Sequence, residues 1–505
     1  MLESFHTLLI LVLGAIGLYY YIAKKQSRGR LPPGPKGLPI IGNLIDVPIE
    51  QEWETYAEWG RKWGGIFHIS LMGQSMIIVN SVNVMDEFDR QGANYSDRPV
   101  LQMGGELVGF KNLLGLMQYG PIFRAYRKHF SRFVGSQKGI HLLHPIIEEE
   151  THKFLKRTSE NSSAGKLIGN LRKLAGGIIL QVTYGYKVKD GQDDFVNLIE
   201  KSNENLSTAL TPGAFLVDVF PWLKYMPEGL PGTSFLKLAR EWRKTTEATA
   251  NLPYAYAESQ MAAGTASASF VSTGLEDSEA SYSPEYLHNL KWTAASLYAG
   301  GADTTVSTES AFFLAMVLYP EVQKKAQAEI DAVVGSDRLP TLADMPHLPY
   351  LNAIMTELLR WHTVAPLGIP HAAVEDGYIN GYFIPKGAVI VANLWKMLHD
   401  PETYPEPFKF DPERHLGPTP QRNVREICFG FGRRICPGML LAETSVYSCI
   451  IKSLAVFNIE KALDSDGIPI TPVHQTANGL LCFPKPYECA IKPRSEKAYS
   501  LITEL

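Results

Sequence analysis

Of the chain's five cysteines, Cys436 has a setting suited to chemistry, within Phe429-Gly-Phe-Gly-Arg-Arg-Ile-Cys-Pro-Gly438. Gly430, Gly432 and Gly438 allow tight turning and close backbone approach where a side chain would strike a flat macrocycle. Arg433 and Arg434 lower the cost of a thiolate, and amides of the turn can point at its sulfur. Pro437 suits the first turn of a helix over 439–451, whose positive end would face the sulfur. This is a way to hold haem iron by sulfur, and a thiolate in that position favours O–O cleavage. Cys428, Cys449, Cys482 and Cys489 lack such surroundings and read as small buried hydrophobes.

A second candidate lies in Ala299-Gly-Gly-Ala-Asp-Thr-Thr305. Asp303 and Thr304 suit proton delivery to reduced dioxygen, the carboxylate relaying protons from solvent and the hydroxyl orienting water. The pair sits inside a proline-free helical stretch, 285–319, which at the usual rise spans roughly 50 Å. Paired glycines and adjacent threonines are poor helix material. Either something approaches the backbone there, or the helix opens locally; a packing notch against another helix is the plain alternative. A third pattern, Glu357-Leu-Leu-Arg360, puts opposite charges on one helical face in an apolar segment, where a buried guanidinium needs several partners. Arg414, in Phe410-Asp-Pro-Glu-Arg-His415, completes an expected brace for the cysteine loop.

These residues must be held by a large body. The chain has 505 residues, 45% of them hydrophobic, and a net charge of -4 from 48 basic and 52 acidic residues. That balance argues against general attraction to nucleic acid. No CxxC pair suggests a zinc or redox site, and the cysteines, all in the last fifth, suggest no disulfide framework. Leu8 to Ile22 is apolar and is followed by Lys24, Lys25, Arg28 and Arg30. Residues 1–23 therefore read as a transmembrane anchor, with the basic cluster on the cytoplasmic side. Residues 24–43, with Leu31-Pro-Pro-Gly-Pro-Lys-Gly-Leu-Pro39, read as a stiff hinge. Residues 44–505 read as one domain: a hairpin near 66–79, helices from about 140 to 330, and short strands at 381–385 and 388–392. Loops are expected at 211–213, 227–232 and 262–273. The three Asn-x-Ser sequons (Asn94, Asn161, Asn205) are expected to be bare.

Together these features resemble the cytochrome P450 monooxygenases over almost the whole chain. The cysteine motif of that family is met by Phe429, Gly432, Arg434, Cys436 and Gly438; its oxygen-binding helix by Gly300 to Thr304; its Glu-x-x-Arg pair by Glu357 and Arg360. The resemblance implies a mainly α fold with small β-sheets, a long central oxygen-binding helix and a C-terminal haem-thiolate loop. It implies heme b (iron protoporphyrin IX) with Cys436 as axial ligand, and Arg434, Arg127 and His371 as partners of its propionates. Phe123 replaces the family's tryptophan four residues before Arg127, losing an indole N–H, and His415 replaces a phenylalanine beside the brace.

The arrangement is similar to the microsomal class, especially basidiomycete enzymes of secondary or xenobiotic metabolism. It implies a single-pass protein of the endoplasmic reticulum membrane with a cytosolic catalytic domain. NADPH–cytochrome P450 reductase would feed it electrons, with cytochrome b5 as a further donor. The pocket would draw on 100–116, 205–219, Leu297, 364–369 and 476–479, mostly small or aliphatic. That suits hydroxylation of a lipophilic terpenoid, steroid or polycyclic aromatic. The competing readings are a reductase-independent haem-thiolate isomerase or dehydratase, and a non-enzymatic membrane haem protein.

Overall fold

The computed structural model describes residues 29–160, 164–189, 191–211, 213–276 and 283–503, and Gly14. The expected anchor (Gly14 apart), the basic residues Lys24, Lys25 and Arg28, and the sequon at Asn161 lie outside the described residues.

Two adjacent positive-φ residues, Met72 (φ 50°) and Gly73 (φ 84°), turn the chain between β1 (Ile66–Leu71) and β2 (Gln74–Val79). Such a two-residue link matches the twist of paired strands. β2 then pairs in parallel with β6 (Val389–Ala392), which also takes β3 (His371–Ala372), giving the order β1-β2-β6-β3. The amino-terminal hairpin is thus joined to strands some 300 residues later. β4 (Gly377–Ile379) with β5 (Tyr382–Ile384), and β7 (Phe457–Lys461) with β8 (Cys489–Pro493), make two small antiparallel pairs.

Twelve described helices have nine or more residues. They are α1 (Glu52–Trp63), α2 (Val82–Arg90), α3 (Pro121–Phe133), α4 (Gln137–Glu160), α5 (Ala164–Tyr184), α6 (Asp194–Ala209), α7 (Ser234–Ala262), α8 (Pro284–Gly301), α9 (Asp303–Leu318), α10 (Pro320–Val333), α11 (Pro349–Trp361) and α12 (Met439–Val456). A short helix, Phe270–Glu276, begins inside the tract expected as loop. α9 packs against α5, α12 and α11 and is buried on all sides from Thr305 to Val317. A helix enclosed on all sides belongs to the core, and each fully buried Leu or Phe there contributes about 1.5–3 kcal/mol. α12 is long and apolar enough to cross a membrane by composition, but 72% of it is buried inside the protein. It is a core helix. Asn205 is buried as well, 8% exposed, so this sequon is out of reach of glycosylation.

The expected long helix is interrupted at one residue, Ala302 (φ −77°, ψ −76°), between α8 and α9. The hydroxyls of Thr304 and Thr305 donate to the carbonyls of Gly300 and Gly301, at 2.8 and 3.0 Å. Back-bonding of this kind bends helices. The two glycines divide the two explanations between them. A Cβ on Gly301 would come within 2.6 Å of Ile179 on α5, which is a packing notch, whereas one on Gly300 meets nothing and faces open space.

Inside α9, Glu309 is fully buried and neither carboxyl oxygen has a partner among the described residues. Burial pushes its pKa well above the usual 4.5. The folded chain therefore keeps the proton while the unfolded chain releases it above about pH 4.5. Stability is lost as pH rises from there toward the folded value. Glu309→Leu should raise unfolding stability at neutral pH by about 1–3 kcal/mol. In denaturant titrations at pH 5 and pH 8, its advantage over the parent should widen at the higher pH.

Candidate active site

Cys436 lies where the loop from Phe429 meets α12. Its amide donates to the carbonyl of Phe429 at 2.8 Å, closing the turn behind the sulfur. Gly430 (φ 76°) and Gly432 (φ 60°) hold left-handed conformations that only glycine adopts freely. At Gly432 the obstacle to a side chain is Asp89 of α2, whose Oδ1 a Cβ would approach to 2.5 Å, rather than a macrocycle. Gly438 has an ordinary backbone and caps α12, so Pro437 precedes the helix instead of opening it.

The sulfur is buried, which raises its pKa; a hydrogen bond from the Gly438 amide and the charge of Arg127 oppose that, while Glu443 adds to it. The helix start therefore faces the sulfur as the sequence suggested. The expected role of the neighbouring arginine pair is corrected. Arg433 donates to the Tyr119 hydroxyl at 3.0 Å. Arg434 donates to the carbonyls of Ser96 and Met117 at 2.7 and 2.8 Å, and lies 3.9 Å over the Phe123 ring. The cation acting on the sulfur is Arg127, whose Nη1 donates to the Ile435 carbonyl at 2.6 Å.

Cys436 opens on a cavity walled mostly by apolar side chains. Phe429, Gly438, Arg127, Arg434, His371 and Thr304 line it, with Leu113 to Leu116, Leu206, Leu297, Gly300, Val364, Ala365 and Leu367. Most of the expected pocket segments are therefore brought together. Leu480 and Leu481 line the wall where 476–479 were expected. The sequence reading missed Ala175, Ile178 and Ile179 of α5, whose helical face was indistinguishable from core.

It also missed Arg98. This fully buried guanidinium lines the cavity and donates to the carbonyls of Gly115, Ile369 and Pro370 at 2.8, 2.5 and 2.9 Å. Burial and the repulsion of Arg434 lower its pKa, and Asp97 offsets them in part. The signal available was an arginine, in Tyr95-Ser-Asp-Arg98-Pro, at the entry to a mostly apolar loop. Arg434 is likewise pushed down to about 10, by burial first, with Arg127 adding to the shift. Three arginines within electrostatic reach of one another suit a ligand bearing carboxylates.

The His371 ring stacks on Phe431 at 4.6 Å, and its Nδ1 donates to the Tyr95 carbonyl at 2.7 Å. Burial, then Arg98, lowers its pKa to about 3. The free Nε2 of the neutral ring is an acceptor, so it donates to a carboxylate only when that carboxylate's charge recruits a second proton.

Asp303 and Thr304 face different ways. Thr304 lines the cavity; the Asp303 carboxylate accepts from Asn203 of α6 at 2.9 Å. Burial raises its pKa, opposed by Asn203 and Arg172.

The brace is assembled around Glu357, which is wholly buried with Arg360. Oε1 accepts from Arg360 Nη2 (2.8 Å), Arg414 Nε (3.1 Å) and the Asp411 amide (2.9 Å). Oε2 accepts from Arg360 Nε (2.8 Å) and His415 Nε2 (2.9 Å). His415 is therefore a working member of the brace. Burial would raise the Glu357 pKa, but the bonds from Arg360 and His415 hold it below the usual value. Glu357→Gln keeps the shape and removes the charge that these donors face. It should cost about 3–5 kcal/mol, seen as a lower denaturation midpoint of the ligand-loaded protein.

The family model described as Cytochrome P450 matches residues 32–491. The chain is 47% identical over 498 residues to Cytochrome P450 monooxygenase 208 of Postia placenta, covering 98% of this chain and 96% of the relative. It is 45% identical over 501 residues to Cytochrome P450 monooxygenase claR of Ampulloclitocybe clavipes, covering 98% and 92%. It is 42% identical over 508 residues to Cytochrome P450 monooxygenase CLM2 of Gibberella zeae, covering 98% and 95%.

Proposed function

The chain belongs to the cytochrome P450 family and is an enzyme of its monooxygenase class, and we propose that it hydroxylates a lipophilic substrate at carbon. The observation that carries this reading is one cavity lined at once by a buried cysteine sulfur, three arginines, Thr304 and aliphatic walls. Haem is the family's cofactor, and heme b fits these residues: a sulfur for its iron, Arg98, Arg127 and Arg434 for two propionates, and apolar sides for the ring. Bound there, haem supplies the one-electron and oxygen chemistry.

The chain's own residues do the remainder. Cys436 would hold the iron by its sulfur, and Gly438 and Arg127 support that sulfur's charge. Thr304 places a hydroxyl in the cavity, able to orient water once it releases the Gly300 carbonyl. Asp303 holds and releases protons on the α6 side, where burial raises its pKa above the ordinary carboxylate value. Leu206, Leu210, Leu297 and Leu480 exclude bulk water and select by shape. A terpenoid, steroid or polycyclic aromatic answers that lining.

NADPH–cytochrome P450 reductase is the proposed electron donor, with cytochrome b5 as an auxiliary, and the endoplasmic reticulum membrane the proposed site. Residues 1–23 act as the anchor and 24–43 as the hinge of the domain over 44–505. Two exposed apolar segments support contact with lipid: Leu38, Ile40, Leu44, Ile45 and Ile49 in one, and Leu216, Phe220, Trp222, Tyr225 and Leu230 in the other.

Cys436→Ser should abolish the absorption band that reduced, CO-treated thiolate-ligated haem gives; a variant that keeps the band removes Cys436 as ligand. Thr304→Ala should retain haem yet yield about tenfold less product per NADPH, with peroxide taking the difference. Unchanged coupling would take Thr304 out of proton delivery.

A further inference from the structure

One ion pair straddles the cysteine loop. Arg425 opens the short helix Arg425–Cys428 before the loop, and Glu443 lies in the second turn of α12 after it. Arg425 Nε and Nη2 donate to Oε1 and Oε2 of Glu443 at 2.5 and 2.7 Å. The two ends differ in setting. The Arg425 side chain is 49% exposed, whereas that of Glu443 is 6% exposed. Glu443 also lines the cavity that holds Cys436 and Cys428, and it is the carboxylate whose charge acts on both sulfurs. The negative end of the pair thus points inward, and the positive end outward to solvent.

We propose that Glu443, held in place by Arg425, is a positioning residue that lowers the reduction potential of the haem bound by Cys436. This rests on the ligand assignment made above. An electron added to the iron meets more repulsion when a fixed negative charge stands in a poorly screened site nearby. The counter-charge is farther out and screened by water, so the pair does not cancel at the sulfur although it is neutral as a whole. Second-shell charges of this kind tune metal sites without touching the metal.

A mere staple between the loop and α12 makes a different prediction, because glutamine still accepts from Arg425 and leaves the staple in place. Glu443→Gln should raise the potential, measured by spectroelectrochemical titration of the holoenzyme at pH 8. The expected size is roughly tenfold in the one-electron reduction equilibrium, or ~59 mV. The double variant Glu443→Gln with Arg425→Gln should return only a small part of the way to the parent, because the exposed Arg425 charge is screened and counts for less at the sulfur than the enclosed Glu443 charge. An unchanged potential in Glu443→Gln, or a double variant that returns fully to the parent's potential, overturns the proposal. If Glu443→Gln fails to retain haem, Arg425→Gln carries the test with the opposite sign, and a potential at or above the parent's overturns it. The reduced-CO thiolate band is recorded in every sample. Its absence from the parent would mean that the ligand assignment has failed; its presence with no shift in potential would mean that this inference alone has failed.

Discussion

A sulfur meant to be an anion must be kept where water cannot stabilise it. Burial raises the Cys436 pKa, and it is likewise the largest cause raising the other four cysteines. What distinguishes Cys436 is a donor and a charge fixed before any ligand arrives: the Gly438 amide at the start of α12, and the guanidinium of Arg127 from α3. Each works only if α3, the loop and α12 hold their relative places. The architecture around them can be understood as the means of holding them there.

Two buried charge systems perform most of that holding, and they differ in how well they are satisfied. Glu357 meets five donors, and Arg360 spends its remaining N–H groups on the carbonyls of Leu398, Pro407 and Lys409. This ties α11 to the irregular segment before the cysteine loop. The arginines of the cavity are unlike it: Arg98, Arg127 and Arg434 face mostly carbonyl oxygens, and they repel one another. A satisfied network makes a scaffold, whereas a cluster of cations short of anions makes a binding site. Glu309 belongs to neither, being a neutral acid in the core whose cost the fold absorbs.

The break at Ala302 shows how small a local weakness is needed for a site. Gly301 lets α5 approach, Gly300 leaves room on the cavity side, and two threonines catch the carbonyls between. From that one turn Thr304 faces the cavity and Asp303 faces α6. A proton donor and its supply can then lie on opposite sides of a single helix.

The chemistry was legible in the sequence because it resides in short contiguous runs. The cysteine loop, the weak helical turn at 299–305, and the Glu357–Arg360 pair each carry their own spacing, and the hairpin at 66–79 its own turn residues. Partnerships between distant segments were not legible. Which cation reaches the sulfur, that His415 joins Glu357, that Arg98 faces the cavity, and that β2 lies beside β6 all depend on segments tens to hundreds of residues apart. A side chain's charge and size are fixed by its own code letter, but the direction it points and the groups that desolvate it are set by what packs against it. The sequence therefore determined the family of chemistry, and the tertiary structure decided which residues surround it.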